Sequence, residues 1–286
     1  MSFVLNEDGI GQDAAKGHCE CEKNYMSYEK GKDRFRIGKA YISCTNIPDA
    51  KERIVGAVKK GLNTYICVSN PRTVTYATKH QDYREVMAQS FMNLPDAEPM
   101  QWAAKLWGLK DVKRTMGPMI FKEMLCEPQS GLKHFLLGDT DETLEKITRK
   151  FTEEAGANIV GTYSPPFCGL DEYDYEGMAR MINESGADLV WVSMRAPKQD
   201  FFATRILPYL NWKICIGVGA AFRFNLGEYK MAPPIIKKLG LMGLYWGKKN
   251  QKWIPFIWGY LKDNVPYLFY LAVIPFRRLV GKKYYE

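Results

Sequence analysis

Residues 134–162 read HFLLGDTDETLEKITRKFTEEAGANIVGT. His134 to Leu137 is a short apolar run that stops at Gly138, which suits a buried strand. Asp139 can cap the helix that follows. Leu144, Ile147 and Phe151 recur at helical spacing and give that helix one apolar face. Asn158 to Thr162 is a second apolar run. Strand, helix and strand in this order predict parallel pairing through a right-handed crossover.

The same alternation extends in both directions. Upstream, Phe35 to Cys44 has strand character. Asp49, with Glu52 three residues on, has the form of a capping box. Ala50, Ile54, Ala57 and Val58 then make a helical face that Gly61 closes. Thr64 to Val68 is rich in β-formers and reads as a buried strand. Downstream, Asp174 to Ser185 reads as a helix with Met178, Met181 and Ile182 inward and Gly186 as its stop. Asp188 to Ser193 and Trp212 to Val218 read as further strands. The predicted fold is a Rossmann-like α/β domain over residues 34–246, a mostly parallel sheet flanked by helices, after a polar extension over 1–33. In such sheets ligands bind beyond the carboxyl ends of the strands, so the residues that matter should follow Val68, Leu137, Thr162, Ser193 and Val218.

The remaining 40 residues, 247–286, differ in kind. From Lys230 onward there are eleven Lys and Arg against two Asp and Glu, +9, whereas the preceding 229 residues carry 29 against 30, −1. The whole net charge of +8 therefore sits in the last fifth of the chain, which implies a polyanionic partner. Trp253 to Leu261 and Val265 to Phe276 are aromatic and apolar, broken by Pro255, Pro266 and Pro275. Their uncharged runs are too short for a span of about twenty residues. Basic and aromatic residues together predict a segment that lies on an anionic membrane surface. The other reading is a proline-broken piece packed on the domain or on another subunit. No nucleic-acid-binding motif accompanies the charge. The amino terminus carries no apolar stretch of signal-peptide length, so the body of the protein is expected in the cytoplasm.

Several short motifs carry little. Cys19-Glu-Cys21 beside His18 lacks the two-residue gap and the second pair of a zinc site, and the seven scattered cysteines read as free thiols, with Cys67 and Cys215 in the core. Asp139-Thr-Asp141 has the Asp-x-Asp form of metal-dependent sugar transferases, yet it sits where a helix should begin and reads as a cap. Gly217-Val-Gly219-Ala-Ala-Phe222 lacks the third glycine of a dinucleotide fingerprint.

Taken in order, the strand ends are more specific than any one of them. Val68-Ser-Asn-Pro71, Leu94-Pro-Asp96 with Trp102-Ala-Ala-Lys-Leu106, Arg114-Thr-Met-Gly117, Phe135-Leu-Leu-Gly138, Ser185-Gly-Ala-Asp188, Ala196-Pro-Lys-Gln199-Asp200 and Gly217-Val-Gly-Ala-Ala-Phe222 resemble, in sequence order, the motifs of the WecG/TagA/CpsF glycosyltransferase family. The resemblance covers roughly residues 35–246. It implies an inverting, metal-independent enzyme that needs no cofactor. The implied substrates are a UDP-sugar donor and an undecaprenyl-diphosphate-linked acceptor, for a surface polysaccharide or teichoic-type polymer at the inner face of the membrane. Such a reaction needs a base for the acceptor hydroxyl and positive or N–H groups for the departing diphosphate. Asp96 stands at the position of the family's proposed base; as plain sequence it is also a good helix cap. Ser69, Asn70, Arg114, Gly138, Lys198, Gln199, Gly219 and Arg223 are the implied substrate-binding residues, Arg114 for phosphate oxygens and the glycines for close backbone approach. Self-association into a homo-oligomer is compatible with this reading.

The chain also departs from the pattern. Arg223 stands where the family usually has Asp, Met231 where it has Arg, Ala97 where it has Gly, and the stretch Gly240–Trp246 differs from its counterpart. Arg195 and Arg223 together suggest an acidic donor such as a hexuronic acid. The alternative reading is a catalytically degenerate relative that serves as a membrane-associated scaffold for another transferase.

Overall fold

The computed structural model describes residues 33–230, 233, 235–236, 245 and 253–286, with backbone alone for 253–259. The cysteine pair near His18, Met231 and all of Gly240–Trp246 except Tyr245 lie outside the described residues.

The chain opens with an antiparallel hairpin, β1 (Arg34–Ile37) and β2 (Ala40–Ser43). The expected single strand over 35–44 is therefore two, because Gly38, with φ +59°, turns the chain between them. Six parallel strands follow: β3 (Thr64–Ser69), β4 (Met92–Pro95), β5 (His134–Gly138), β6 (Ile159–Tyr163), β7 (Leu189–Ser193) and β8 (Ile214–Gly217). They stand in the order β4-β3-β8-β7-β5-β6. The first-read unit is confirmed: β5 and β6 pair in parallel across α6 (Asp141–Ala155).

The inner strands are buried on both faces, as parallel strands covered by helices must be. Tyr65 and Cys67 of β3 face one core and Ile66 and Val68 the other, the period-two alternation of a strand. The first face carries α2 (Pro71–Lys79), α3 (Gln81–Gln89), α4 (Glu98–Trp107), α7 (Tyr175–Glu184) and α8 (Lys198–Ile206). The second carries α1 (Ile47–Lys59), α5 (Gly117–Leu125), α6 and the short α9 (Ala221–Asn225). Trp191, wholly buried, is edge-on to Phe121 at 5.1 Å and anchors the second core.

Three local expectations change. Helix α1 begins at Ile47, and its cap is Asn46, whose side chain accepts the Asp49 N–H. Helix α6 is capped by Thr140, not Asp139. Met181 is 40% exposed, while Met178 and Ile182 do face the core. Cys67 and Cys215 are buried free thiols, as read.

The carboxyl-terminal segment forms α10 (Trp253–Leu279), with Pro266 and Pro275 inside the helix. It lies on α2 and α4. Tyr267, Leu271 and Ile274 belong to the first core. The Tyr267 hydroxyl donates to the Pro99 carbonyl at 2.7 Å, and Thr75 Oγ1 donates to the Asp263 carbonyl at 2.7 Å. Beyond the helix, the Arg36 N–H donates to the Tyr284 carbonyl at 2.8 Å. Packing on the domain, one of the two readings of this segment, thus holds for one side of the helix. The opposite side is apolar and open: Leu261, Val265, Leu268, Phe269, Phe276 and Leu279 are all exposed and recur at helical spacing. No helix among the described residues is long and apolar enough to cross a membrane.

Inside the first core, Tyr83 donates a hydrogen bond of 2.6 Å to Asp200 Oδ2. Burial pushes the Asp200 carboxyl up to about 7, against the pull of the Tyr83 hydroxyl. The native state therefore holds a proton that the unfolded chain releases near pH 4. The associated stability is complete below that pH and is lost as pH rises through 7. Asp200→Asn should raise the unfolding free energy at pH 8 by on the order of 2 kcal/mol, a gain that shrinks toward pH 4.5. Urea unfolding at the two pH values checks this; an equal gain at both would refute the ionisation argument.

Candidate functional site

The carboxyl ends of the six strands form one row. From one edge to the other it runs Asp96 after β4, Ser69 and Asn70 at β3, Val218 and Gly219 after β8, Ser193 at β7, Gly138 and Asp139 at β5, and Ser164 after β6. Of the site residues expected from the sequence, Ser69, Asn70, Asp96, Gly138 and Gly219 lie on this row, Lys198, Gln199 and Arg223 lie in the helices beside it, and Arg114 lies in the loop before α5.

Backbone geometry binds the row together. The Asp96 N–H donates to the Ser69 carbonyl at 2.9 Å, and Val218 N–H to the Val192 carbonyl at 3.0 Å. Ser193 Oγ donates to the Gly219 carbonyl at 2.7 Å. Gly138 has φ +106°, and a Cβ there would lie 2.5 Å from the Ser193 carbonyl oxygen. A Cβ on Gly117 would lie 2.9 Å from the Val218 carbonyl oxygen. Glycine is thus required at both places by close approach of neighbouring backbone.

Asp96 is partly exposed and does not cap α4; Ala97 occupies that position. Its Oδ1 instead accepts the Gly117 N–H at 3.1 Å, across to the start of α5. Burial raises its carboxyl to about 6, while the Gly117 N–H and the nearby Arg114 guanidinium pull it down. A carboxylate with this value is ionised at neutral pH and still basic enough to take a proton. Arg114 is held on the same side, its Nη1 3.8 Å from Glu98 Oε2. Asp96 and Arg114, both singled out from the sequence, thus lie close enough for the guanidinium to act on the carboxyl.

The other expected residues divide. Ser69 is buried and its hydroxyl has no hydrogen-bond partner. Asn70 caps α2, its side chain accepting the Thr73 N–H in a reciprocal capping box. Gln199 is buried, and its Oε1 accepts the Gly219 N–H at 2.9 Å. In both, the amide oxygen is spent on building the edge. Lys198 reaches the Cys168 carbonyl, and its ammonium stands about 5 Å from the rings of Phe167 and Tyr173. These are uncharged partners that leave its positive charge unneutralised.

Arg223 is different again. Its Nε and Nη2 grip both oxygens of Asp139, the shortest contact 2.6 Å, and Nη1 lies 3.7 Å from Glu228. Asp139 itself sits at φ +61°, in the left-handed region, with its carbonyl taken by Ser164 Oγ. The expected capping role of Asp139 is replaced by this pair, and the fork expected to select an acidic donor already holds a carboxylate. Arg195 is exposed at the head of the β7–α8 connection.

Sequence reasoning did not single out Glu98, Gln101, Asp139 as an ion-pair partner, or the exposed Phe167. Glu98 reads as an ordinary acidic residue in a first helical turn, and the pairing of Asp139 with a residue 84 positions away leaves no local trace. Among the described residues no cluster of His, Cys, Asp or Glu is arranged to hold a metal ion. Two shallow depressions of about 430 and 460 Å³ lie off the row, the first lined by Thr45 and Asp111, the second by Lys51 and Glu127.

Residues 35–277 match the family model described as "Glycosyl transferase WecG/TagA/CpsF family".

Proposed function

The chain belongs to the WecG/TagA/CpsF glycosyltransferase family, and we propose that it moves a sugar, with inversion and without a metal, from a UDP-sugar to an undecaprenyl-diphosphate-linked acceptor in the synthesis of a cell-surface polymer. The observation that carries this reading is Asp96 at the carboxyl edge, ionisable near neutrality, with Arg114 and the Gly117 N–H beside it. Asp96 takes the proton of the acceptor hydroxyl as that oxygen attacks the anomeric carbon. The bond from that carbon to the diphosphate breaks, and UDP departs with the electron pair. Arg114 and Lys198 offset the charge that develops on the phosphate oxygens. The test is a screen of UDP-sugars against short-chain polyprenyl-diphosphate sugars with UDP release as readout. Release should require both substrates and persist in EDTA. No release with any donor, together with no calorimetric binding of UDP, would favour the scaffold reading, which draws on the engagement of Asn70, Gln199 and Arg223 within the protein.

The open face of α10 supports a peripheral seat on an anionic membrane at the cytoplasmic side. Its apolar stripe is flanked by Lys262, Arg277, Lys282 and Lys283, the composition of an interfacial helix. Each large apolar side chain contributes roughly 1.5–3 kcal/mol when withdrawn from water. Leu268→Glu with Phe269→Glu should therefore weaken retention on vesicles containing anionic phospholipid by on the order of 100-fold. Both residues are exposed, so the fold should persist. Undiminished retention in a sedimentation assay would remove this face from the account.

A further inference from the structure

The segment before α5 is pinned to the start of α4 at three points. Thr115 N–H donates to the Pro95 carbonyl at 2.7 Å, Arg114 N–H to Gln101 Oε1 at 3.0 Å, and Gly117 N–H to Asp96 Oδ1 at 3.1 Å. Two side chains of the first turn of α4 thus attend to Arg114: Gln101 holds its backbone and Glu98 faces its guanidinium. The Arg114 and Glu98 side chains are only 18% and 20% exposed. At 3.8 Å the pair is an ion pair without a hydrogen bond. The guanidinium is held in place, and its N–H groups are not consumed as those of Arg223 are by Asp139. An acid that served only the helix dipole would not need a partly buried arginine against it.

We propose that Glu98 is a positioning residue: it draws the Arg114 guanidinium toward itself and off the Asp96 carboxylate, and yields it to a phosphate oxygen when a diphosphate substrate enters. The proposal rests on the transferase reading for the identity of that substrate. The Asp96 carboxyl takes the Gly117 N–H and feels the Arg114 guanidinium, both from the α5 approach, while its backbone N–H is held by the Ser69 carbonyl of β3; Glu98 faces Arg114. Arg114 is the cation among them and its direction is set by Glu98. Without the Glu98 charge, Arg114 turns to Asp96 and holds it more firmly in the ionised form.

The experiment is a carbon-13 NMR titration of the Asp96 carboxyl in the full chain. It compares wild type, Glu98→Gln, Arg114→Gln and the double variant. Glu98→Gln should lower the Asp96 midpoint by at least about half a pH unit. In the Arg114→Gln background the same substitution should shift it less than half as far. Equal shifts in both backgrounds would mean that Glu98 acts on Asp96 directly, and no shift in either would mean that it does not act; both overturn the proposal. Calorimetry with inorganic pyrophosphate tests the hand-over. Glu98→Gln should bind it several-fold more tightly, and only with Arg114 present; unchanged or weaker binding overturns that step. Neither measurement requires turnover. Absent UDP release alongside an intact Glu98–Arg114–Asp96 coupling would count against the transferase reading alone.

Discussion

Asp96→Asn is expected to slow UDP release by on the order of 10²–10⁴-fold, the usual contribution of a positioned general base, while the protein remains folded. The geometry supports both halves of that statement. The substitution keeps an oxygen for the Gly117 N–H and removes only the capacity to accept a proton. The native carboxyl is raised by burial, so ionising it costs stability, and the neutral amide should unfold at a denaturant concentration no lower than wild type at pH 8. The same value fixes a pH profile. Below about 6 the base is increasingly protonated, so kcat/KM should fall tenfold per pH unit on that side. Steady-state UDP release from pH 5 to 8, with circular dichroism on both proteins, provides the check. Near-wild-type turnover in the folded variant would take the base assignment away from Asp96.

Gly138→Ala should cost about 2–4 kcal/mol of folding stability, the sum expected for a residue forced to positive φ and a contact that backbone must yield to. The register of β5 and β7 sets Gly138 opposite Ser193, and the missing side chain is what lets the two strand ends close to within touching distance. An added methyl group would meet a carbonyl oxygen at 2.5 Å, and backbone in a six-stranded sheet cannot swing aside as a side chain can. The strain would pass to Asp139, the next residue, and so to its hold on Arg223. For a protein of this size a fall in Tm of on the order of 10 °C follows. An unaltered melting curve would show that the strand ends have slack the close contact denies.

The sheet was legible because most of its strands are apolar runs and its helices carry a clear face, so that five of its six strands and the α/β class follow from periodicity; β4, only Met92–Pro95 with a polar Asn93 inside it, leaves no such run. The hairpin was not, since one glycine in an otherwise unbroken β-rich run leaves the pattern intact while reversing the chain. Capping was read on the wrong side of two loops: Asn46 and Thr140 do what Asp49 and Asp139 could do equally well, and a single sequence does not rank oxygen acceptors two or three residues apart. At the site, Asp96 and Arg114 followed from ordered motifs. Asn70 is taken by Thr73, three residues on, whereas the fates of Gln199 and Arg223 depend on partners 20 and 84 residues away. The tail packs on the domain with one side of its helix and leaves an apolar side exposed, a division composition alone cannot show.

That helix has a consequence for the order in which the molecule is made. The core under α2 and α4 is finished by Tyr267, Leu271 and Ile274, so during synthesis the earlier 250 or so residues must wait on the ribosome with that apolar seat uncovered. A protein stopped before residue 267 lacks part of its interior as well as most of its exposed apolar stripe. Loss of membrane binding in a truncated form would therefore report incomplete folding as readily as a missing anchor, and substitutions on the open face are the cleaner instrument.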